Sequence, residues 1–490
     1  MSENFRGNHR GWLLKTGADK PWCHQFLIAL EDGHYEMGIS RAYRLLTEGQ
    51  YSGTTSIAIN GKTESKSNNC VLDLRTGLMW SRYLSNTVGP SSNGSLYWDN
   101  HIDHLVHDGG GDPWVVNEVV TQATSNATGV IRYVDNGDNE FWLENVEGTF
   151  DTVSGYAITG SEGGGGSGTC LPTSYTTGNK EDIHYYANKC RDEELAGYND
   201  WRVCSPHEIL TIMNYAYGGT ADPDPNYFGA ITPSTNDTIW SSWGRAHQIM
   251  VAHYVGLDFG RHTTGNKPEA THHCWVVRGP DLSEPRPCLV KNMVPEAYAV
   301  GLGGTMFADC YHYGKDNNIW VPARYTIMNT GDQAGTTEIT MPFTGNVETM
   351  SNAIVKDNVT GLEWTQDCTQ SIGALSDGEV PYLDSSGIRE DGLLFCQMAR
   401  EEALGGRSDW RIPNIMEFMS IVRLKSSSCV DGTYFNNASL EFWGCTPKTN
   451  DRTLGYRSVD STSLAGTGAV RATTANAIRL VRGGYTDADL

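Results

Sequence analysis

With 490 residues the chain is long enough for two or three domains, and 55 glycines against 18 prolines at only 19% charged residues point to many turns and short strands. Its 36 Lys and Arg against 58 Asp and Glu give a formal net charge of -22, which repels a phosphate backbone and excludes nucleic acid as an expected partner. No apolar run reaches the about 18 residues of a membrane span, and Met1 to Pro21 holds no stretch of the kind an export signal needs.

In chain order, residues 1–47 read as an N-terminal docking segment. EGQYSGTTSIAI from Glu48 then returns as TGDQAGTTEITM from Thr330, and VLDLRTGLMW at 71–80 returns as VKDNVTGLEW at 355–364. LAGYNDWRVCSPHEIL from Leu195 returns as LGGRSDWRIPNIMEFM from Leu404, and WVVRG ending at Gly279 returns as RLVRG ending at Gly483. Such self-similarity decides architecture before any local pattern does.

Spacing supports the repeat and locates an insertion. Trp201 to Trp240 is 39 residues against 33 between Trp410 and Trp443, whereas Trp80 to Trp201 is 121 against 46 between Trp364 and Trp410. The excess of 75 residues in the first copy contains β-branched and aromatic runs at Val115 to Thr121, Thr128 to Val134, Glu140 to Val146 and Thr152 to Thr159. Turns at Asn136-Gly137 and Gly148 separate them, and a Gly/Ser linker, Gly163 to Gly168, closes the segment. Residues 112–169 are therefore expected to form a small all-β module projecting from the first copy.

Two helices per copy are expected. Ile183, Tyr186, Ala187 and Cys190 recur at helical spacing, with Gly197 as a left-handed C-terminal cap. Ser205-Pro206-His207-Glu208 is a capping box that opens a helix burying Ile209, Ile212 and Met213, and Asn414 with Glu417 offers the same box again.

These motifs resemble the C-terminal domain of Legionella collagen-like protein and its relatives, with a TGL-x-W turn, a DWR-[LI]-P-x-x-x-E segment, a central W-S-S strand and a closing V-R strand. They stand here as Thr76 to Trp80, Asp200 to Glu208, Trp240-Ser241-Ser242 and Val276 to Arg278, then as Thr360 to Trp364, Asp409 to Glu417, Trp443-Gly444-Cys445 and Leu480 to Arg482. Cys204 departs from the usual proline and Gly444-Cys445 from the paired serines. The resemblance implies an α+β, β-rich chain of two C-type-lectin-like domains, the first carrying the inserted module. Their bounds are 48–111 with 170–280, and 330–484, joined by a connector at 281–329 and followed by a tail at 485–490. Trp80, Trp201, Arg202, Trp240, Trp364, Trp410, Arg411 and Trp443 read as structural motif residues, each Trp buried and each Arg available to pair with an acid.

Between the central Trp and the closing strand this fold class displays its variable surface. In the first copy that stretch, Trp243 to His273, holds five of the 14 histidines: His247, His253, His262, His272 and His273. Adjacent histidines on a strand point to opposite faces, so a stacking or solvated surface is the expectation ahead of a metal site, with core histidines as the remaining reading. Asp135 to Glu140 fails the calcium-loop spacing. The candidate ligand-binding residues are Trp243, Arg245, His247, Tyr254, His262, Arg452, Tyr456, Arg457 and Arg471, whose rings stack on sugars and whose cations donate to hydroxyls.

The 12 cysteines show no C-x-x-C spacing, do not recur between copies and form no catalytic dyad, so no enzyme activity, metal or cofactor is expected. Relatives occur as adhesins and in tailed-phage virion proteins, and the lead-in Gly38 to Asn69 and the inserted unit look like phage virion sequence. The expectation is a virion structural or adhesion protein (tail fibre, tail tip or head decoration), found in the virion and extracellular in the mature particle. Expected partners are other virion proteins and host-surface glycan, with a homo-oligomer, a trimer above all. A bacterial surface adhesin is the first alternative and a glycan-active enzyme the second.

Overall fold

The computed structural model describes residues 42–279 and 325–483, other than 75–76, 87, 89–93, 99–102, 111–113, 116, 136, 162–168, 179–180, 214–222, 230–237, 246–247, 258–260, 268–269, 330–334, 343–344, 359, 370–379, 382–391, 422–429, 437–441, 448–455, 461–465 and 470–474. Within these the chain is α+β and β-rich, as its turn-rich composition implies. Of the segment 1–47, expected to dock, residues 1–41 lie outside the described residues, as do 281–324 of the connector 281–329; the remainder of each does not stand apart, because Tyr43–Leu46 and Tyr325–Met328 are the first strands of the two sheets.

Each copy is built on one antiparallel sheet. In the first copy the order is Tyr43–Leu46, Cys70–Asp73, Met79–Ser81, Val276–Arg278, Arg202–Val203. In the second it is Tyr325–Met328, Ile354–Asp357, Glu363–Thr365, Val481–Arg482, with Arg411 bridging Val481 where the fifth strand of the first copy stands. Tyr43 lies opposite Asp73 and Tyr325 opposite Asp357, so the register repeats as well as the order.

The TGL turn explains itself in this frame. The N–H of Gly77 donates to the Asp73 carbonyl and that of Gly361 to the Asp357 carbonyl, each at 2.8 Å, with φ of 75° and 74°. Only glycine adopts that left-handed angle without strain, so the motif fixes a tight hairpin between the second and third strands.

The helices fall as Ile183–Asp192 and Pro206–Ile212 in the first copy and Gly392–Glu401 and Ile415–Ile421 in the second. Gly197 is not the cap of the first helix, which ends at Asp192 with Glu194 taking the left-handed angle, φ 47°. Gly197, φ 79°, closes a separate 3-10 turn at Leu195–Gly197, and Leu404–Gly406 repeats it. Trp201 Nε1 donates to the Leu195 carbonyl at 2.7 Å and Trp410 Nε1 to that of Leu404 at 2.8 Å. Burial of the indole therefore selects the turn over a longer helix.

The inserted module is wider than its strands suggest. Its seven-stranded sheet runs Thr169–Cys170, Ile158–Gly160, Val119–Gln122, Ala127–Asp135, Glu140–Glu147, Asp103–His107, Pro172–Thr176. It thus takes in residues that the motif-based bounds leave to the first copy. Its sheet faces alternate as the pleat requires: Phe141 and Leu143 enter the module's own core with Leu105, Ile131 and Phe150. Trp142, between them, packs instead with the core of the first copy that holds Ile183, Tyr186 and Trp201. The module is docked through this side chain rather than projecting freely.

Each copy has a core of its own around Trp201 or Trp410. A further set of buried apolar residues, drawn from both copies, forms one connected cluster. Val71, Leu78, Trp80, Ile209, Ile212, Phe228, Ile239 and Val277 are matched there by Val355, Leu362, Trp364, Phe418, Ile421, Phe435, Phe442 and Val481.

Candidate functional site

The shared motifs build a scaffold. In the first copy Arg202 donates to both carboxylate oxygens of Glu208, at 2.8 and 2.5 Å, and to the Gly279 carbonyl at 3.2 Å. In the second, Arg411 does the same with Glu417, at 2.6 and 2.5 Å, and with the Gly483 carbonyl at 3.0 Å. Both arginines are only 4% exposed, so the planar fork and a bidentate carboxylate satisfy charge and hydrogen bonding together.

The same glutamates close the capping boxes. Ser205 N–H donates to Glu208 Oε2 at 2.8 Å while Glu208 N–H donates to Ser205 Oγ at 3.3 Å. Asn414 N–H donates to Glu417 Oε2 and Glu417 N–H to Asn414 Oδ1, each at 2.9 Å. One carboxylate per copy thereby ties the DWR strand, the following helix and the closing glycine.

The aspartate of each DWR pairs with the closing arginine: Arg278 Nε donates to Asp200 Oδ1 and Arg482 Nε to Asp409 Oδ1, both at 2.6 Å. Burial works against the Asp409 carboxylate, but the hydrogen bond and charge of Arg482 outweigh it and hold its pKa below the usual range. The surroundings then diverge. Arg278 lies 3.6 Å from the centre of the Tyr198 ring, whereas Arg482 pairs with Glu363, which also faces Arg407 at 3.7 Å.

Among the described residues three buried Lys or Arg side chains lie outside the shared motifs: Lys66, Arg479 and Lys267, the last 4.2 Å from the centre of the Trp98 ring. Lys66, 2% exposed, donates to the carbonyls of Tyr83 and Leu84 at 2.9 and 3.2 Å and sits 3.6 Å from Glu64. The matching position in the second copy is the buried Met350, and the matching loop is held by Arg479. Arg479, fully buried, donates to the carbonyls of Thr365 and Gln366 at 2.8 and 2.5 Å and of Asn436 at 2.6 Å. In the first copy Trp275 stands at that place and its Nε1 donates to the Ser81 carbonyl at 2.7 Å. The loop after the third strand is thus clamped in both copies, by Trp and Lys in one and by a single Arg in the other.

Beyond this scaffold each copy carries a three-stranded antiparallel ribbon. In the first it is Thr238–Arg245, Gln248–Gly256 and Arg261–Asn266, and in the second Phe442–Pro447, Tyr456–Asp460 and Gly466–Ala469. Trp243 and Arg245 lie on the first strand, Tyr254 on the second and His262 on the third; Tyr456 and Arg457 begin the second strand of the other ribbon. Of these only the Tyr254 side chain is described. His247, Arg452 and Arg471 lie outside the described residues.

Tyr254 is half-buried, its ring centre 4.0 Å from that of His272 and 5.7 Å from that of Trp240. His272 packs on Trp240 at 4.4 Å and shares a hydrogen bond with the Thr238 hydroxyl, and burial lowers its pKa to about 4. His253 is fully buried, and His273 Nδ1 lies 3.1 Å from the Ser85 carbonyl. The described histidines therefore serve packing more than an open polar surface. Among the described residues no three His, Cys, Asp or Glu side chains are placed to hold a metal ion, and no helix is long and apolar enough to cross a membrane.

The eight described cysteines are free and buried. Burial pushes the thiols of Cys70, Cys170, Cys190 and Cys396 up to about 12, far from the thiolate that nucleophilic chemistry requires.

The repeated strand order, the paired Arg–Glu anchors and the Asp–Arg closures coincide with two matches to the family model of the Lcl C-terminal domain, at residues 69–278 and 353–482. The chain belongs to the Lcl C-terminal domain family. No curated protein and no solved structure matches it. The first Lcl C-terminal domain match takes in residues 112–169 as well. Both Lcl C-terminal domain matches begin at the strand before the TGL turn and end on the closing Arg278 and Arg482, the strand that completes each sheet.

Proposed function

We propose that the chain is a binding protein of the virion surface of a tailed phage, a tail-fibre, tail-tip or head-decoration component. Its two copies take a C-type-lectin-like form and present their ribbons to host-surface glycan or to neighbouring virion proteins. One observation carries this reading: the two copies keep the same Arg–Glu, Asp–Arg and Trp anchors but carry different residues on their ribbons. A scaffold that is held constant while one surface varies is how a recognition module changes its partner without losing its fold. The buried thiols and the motif carboxylates already engaged by arginine support binding over catalysis. The net charge of -22 suits a protein displayed at high local density.

Mass spectrometry of purified particles tests it: the chain is expected among the virion proteins, and its absence from infectious particles removes the reading. The family match favours a second reading, a bacterial surface adhesin. Genes for capsid and portal proteins beside this one support the phage reading, and their absence supports the adhesin.

A further inference from the structure

The strand Arg261–Asn266 of the first ribbon lies beside Gly466–Ala469, the corresponding strand of the second. Ladder positions establish the correspondence, because Val255 is opposite both Ile239 and His262 while Val459 is opposite both Phe442 and Thr467. An element that meets its own equivalent is the mark of a two-fold relation, in which one patch is used twice.

The cluster beneath the sheets has the same character. It draws matched positions from each copy, among them Ile212 and Ile421 from the second helix, Phe228 and Phe435 from the loop after it, and Trp80 and Trp364 from the third strand. Tyr43 and Tyr325 flank it in matched ring pairs, with Tyr227 at 5.4 Å and Tyr434 at 5.2 Å. The cores around Trp201 and Trp410, by contrast, stay separate, one in each copy. Among the described residues the apolar continuity between the copies runs through this cluster.

We propose that this face is a self-recognition surface: the two copies form a pseudo-two-fold dimer within one chain, and the partner the face fits is a second copy of the same module. The covalent connection through 280–324 is then not what holds the copies together. It follows that the two ribbons lie side by side and meet a ligand as one composite surface, not as two independent sites.

The full chain tests this with a specific protease site placed in 280–324. After cleavage the two fragments are expected to co-elute as one species at low micromolar concentration in native buffer and to part only in denaturant. Separate elution of the cut fragments in native buffer overturns the proposal. A second arm does not depend on affinity. Cysteines placed in turn along Arg261–Asn266 and along Gly466–Ala469, one in each strand and oxidised before cleavage, are expected to leave the fragments in one band on a non-reducing gel for at least one pair, which no single variant does. Failure of every such pair to cross-link in chains that keep the native thermal midpoint overturns the side-by-side placement.

Discussion

Glu417→Gln removes one negative charge from the anchor of the second copy while keeping its shape. Arg411, 4% exposed, then keeps its cation beside a neutral amide, and the amide offers one acceptor oxygen where the carboxylate offered two. Breaking a buried pair by removing one partner costs about 3–5 kcal/mol. The same oxygen that accepts from Arg411 also accepts from Asn414 N–H, so up to about 1 kcal/mol of capping is at risk too. For a unit of this size each kcal/mol moves the thermal midpoint by about 2–4 °C, which gives a loss of roughly 6–24 °C by scanning calorimetry. Glu208→Gln is expected to fall in the same range, because its geometry repeats. The double variant Arg411→Met with Glu417→Leu removes both charges, and only the loss of the cap and of the donor to the Gly483 carbonyl is expected to persist. A single-variant loss under about 1 kcal/mol, or a double variant as unstable as the sum of its parts, refutes the anchor as the element that holds the closing strand.

Lys66→Met copies the residue of the second copy into the first; with no arginine at position 275 the Tyr83 and Leu84 carbonyls lose their donor, and denaturant unfolding is expected to show a loss of about 2–4 kcal/mol. Arg479→Trp is expected to cost at least as much, since one indole N–H cannot replace donors to Thr365, Gln366 and Asn436. The pKa of His272 is lowered on folding, so its contribution to stability is fully present above the unfolded value of about 6.5 and is lost as pH falls towards 4. Denaturation midpoints across that window are expected to fall with pH, and His272→Gln to reduce the slope. Cys70, Cys190 and Cys396, buried with thiols pushed up to about 12, are expected to resist a thiol reagent at pH 8 until the chain unfolds; rapid labelling of any of them in native buffer contradicts their placement.

What could be read in the sequence was what depends on local pattern. The DWR segment, the capping box at Ser205 and Glu208 and the TGL turn are short, and each carries its own reason for its residues. Gly197 misled because its positive φ marks a 3-10 turn imposed by burial of Trp201, a tertiary demand that helix periodicity does not contain. The module's outer strands, Asp103–His107 and Pro172–Thr176, were invisible because they flank the insertion and pair across it. Lys66 and Arg479 carry no local signal, because the carbonyls they hold come from other segments of the chain. The packing of Tyr254 against His272 also needed the third dimension, since the two are brought together by the ribbon's return.

The most direct measurement of the central claim is binding of the purified chain to the surface of susceptible cells, beside the ribbon variant Tyr456→Ala with Arg457→Ala and the scaffold variant Glu417→Gln. The account predicts saturable binding that the ribbon variant loses with its thermal midpoint unchanged, while the scaffold variant binds in proportion to the fraction folded. Undiminished binding by a folded ribbon variant, or release of cleaved glycan by the unaltered chain, contradicts it.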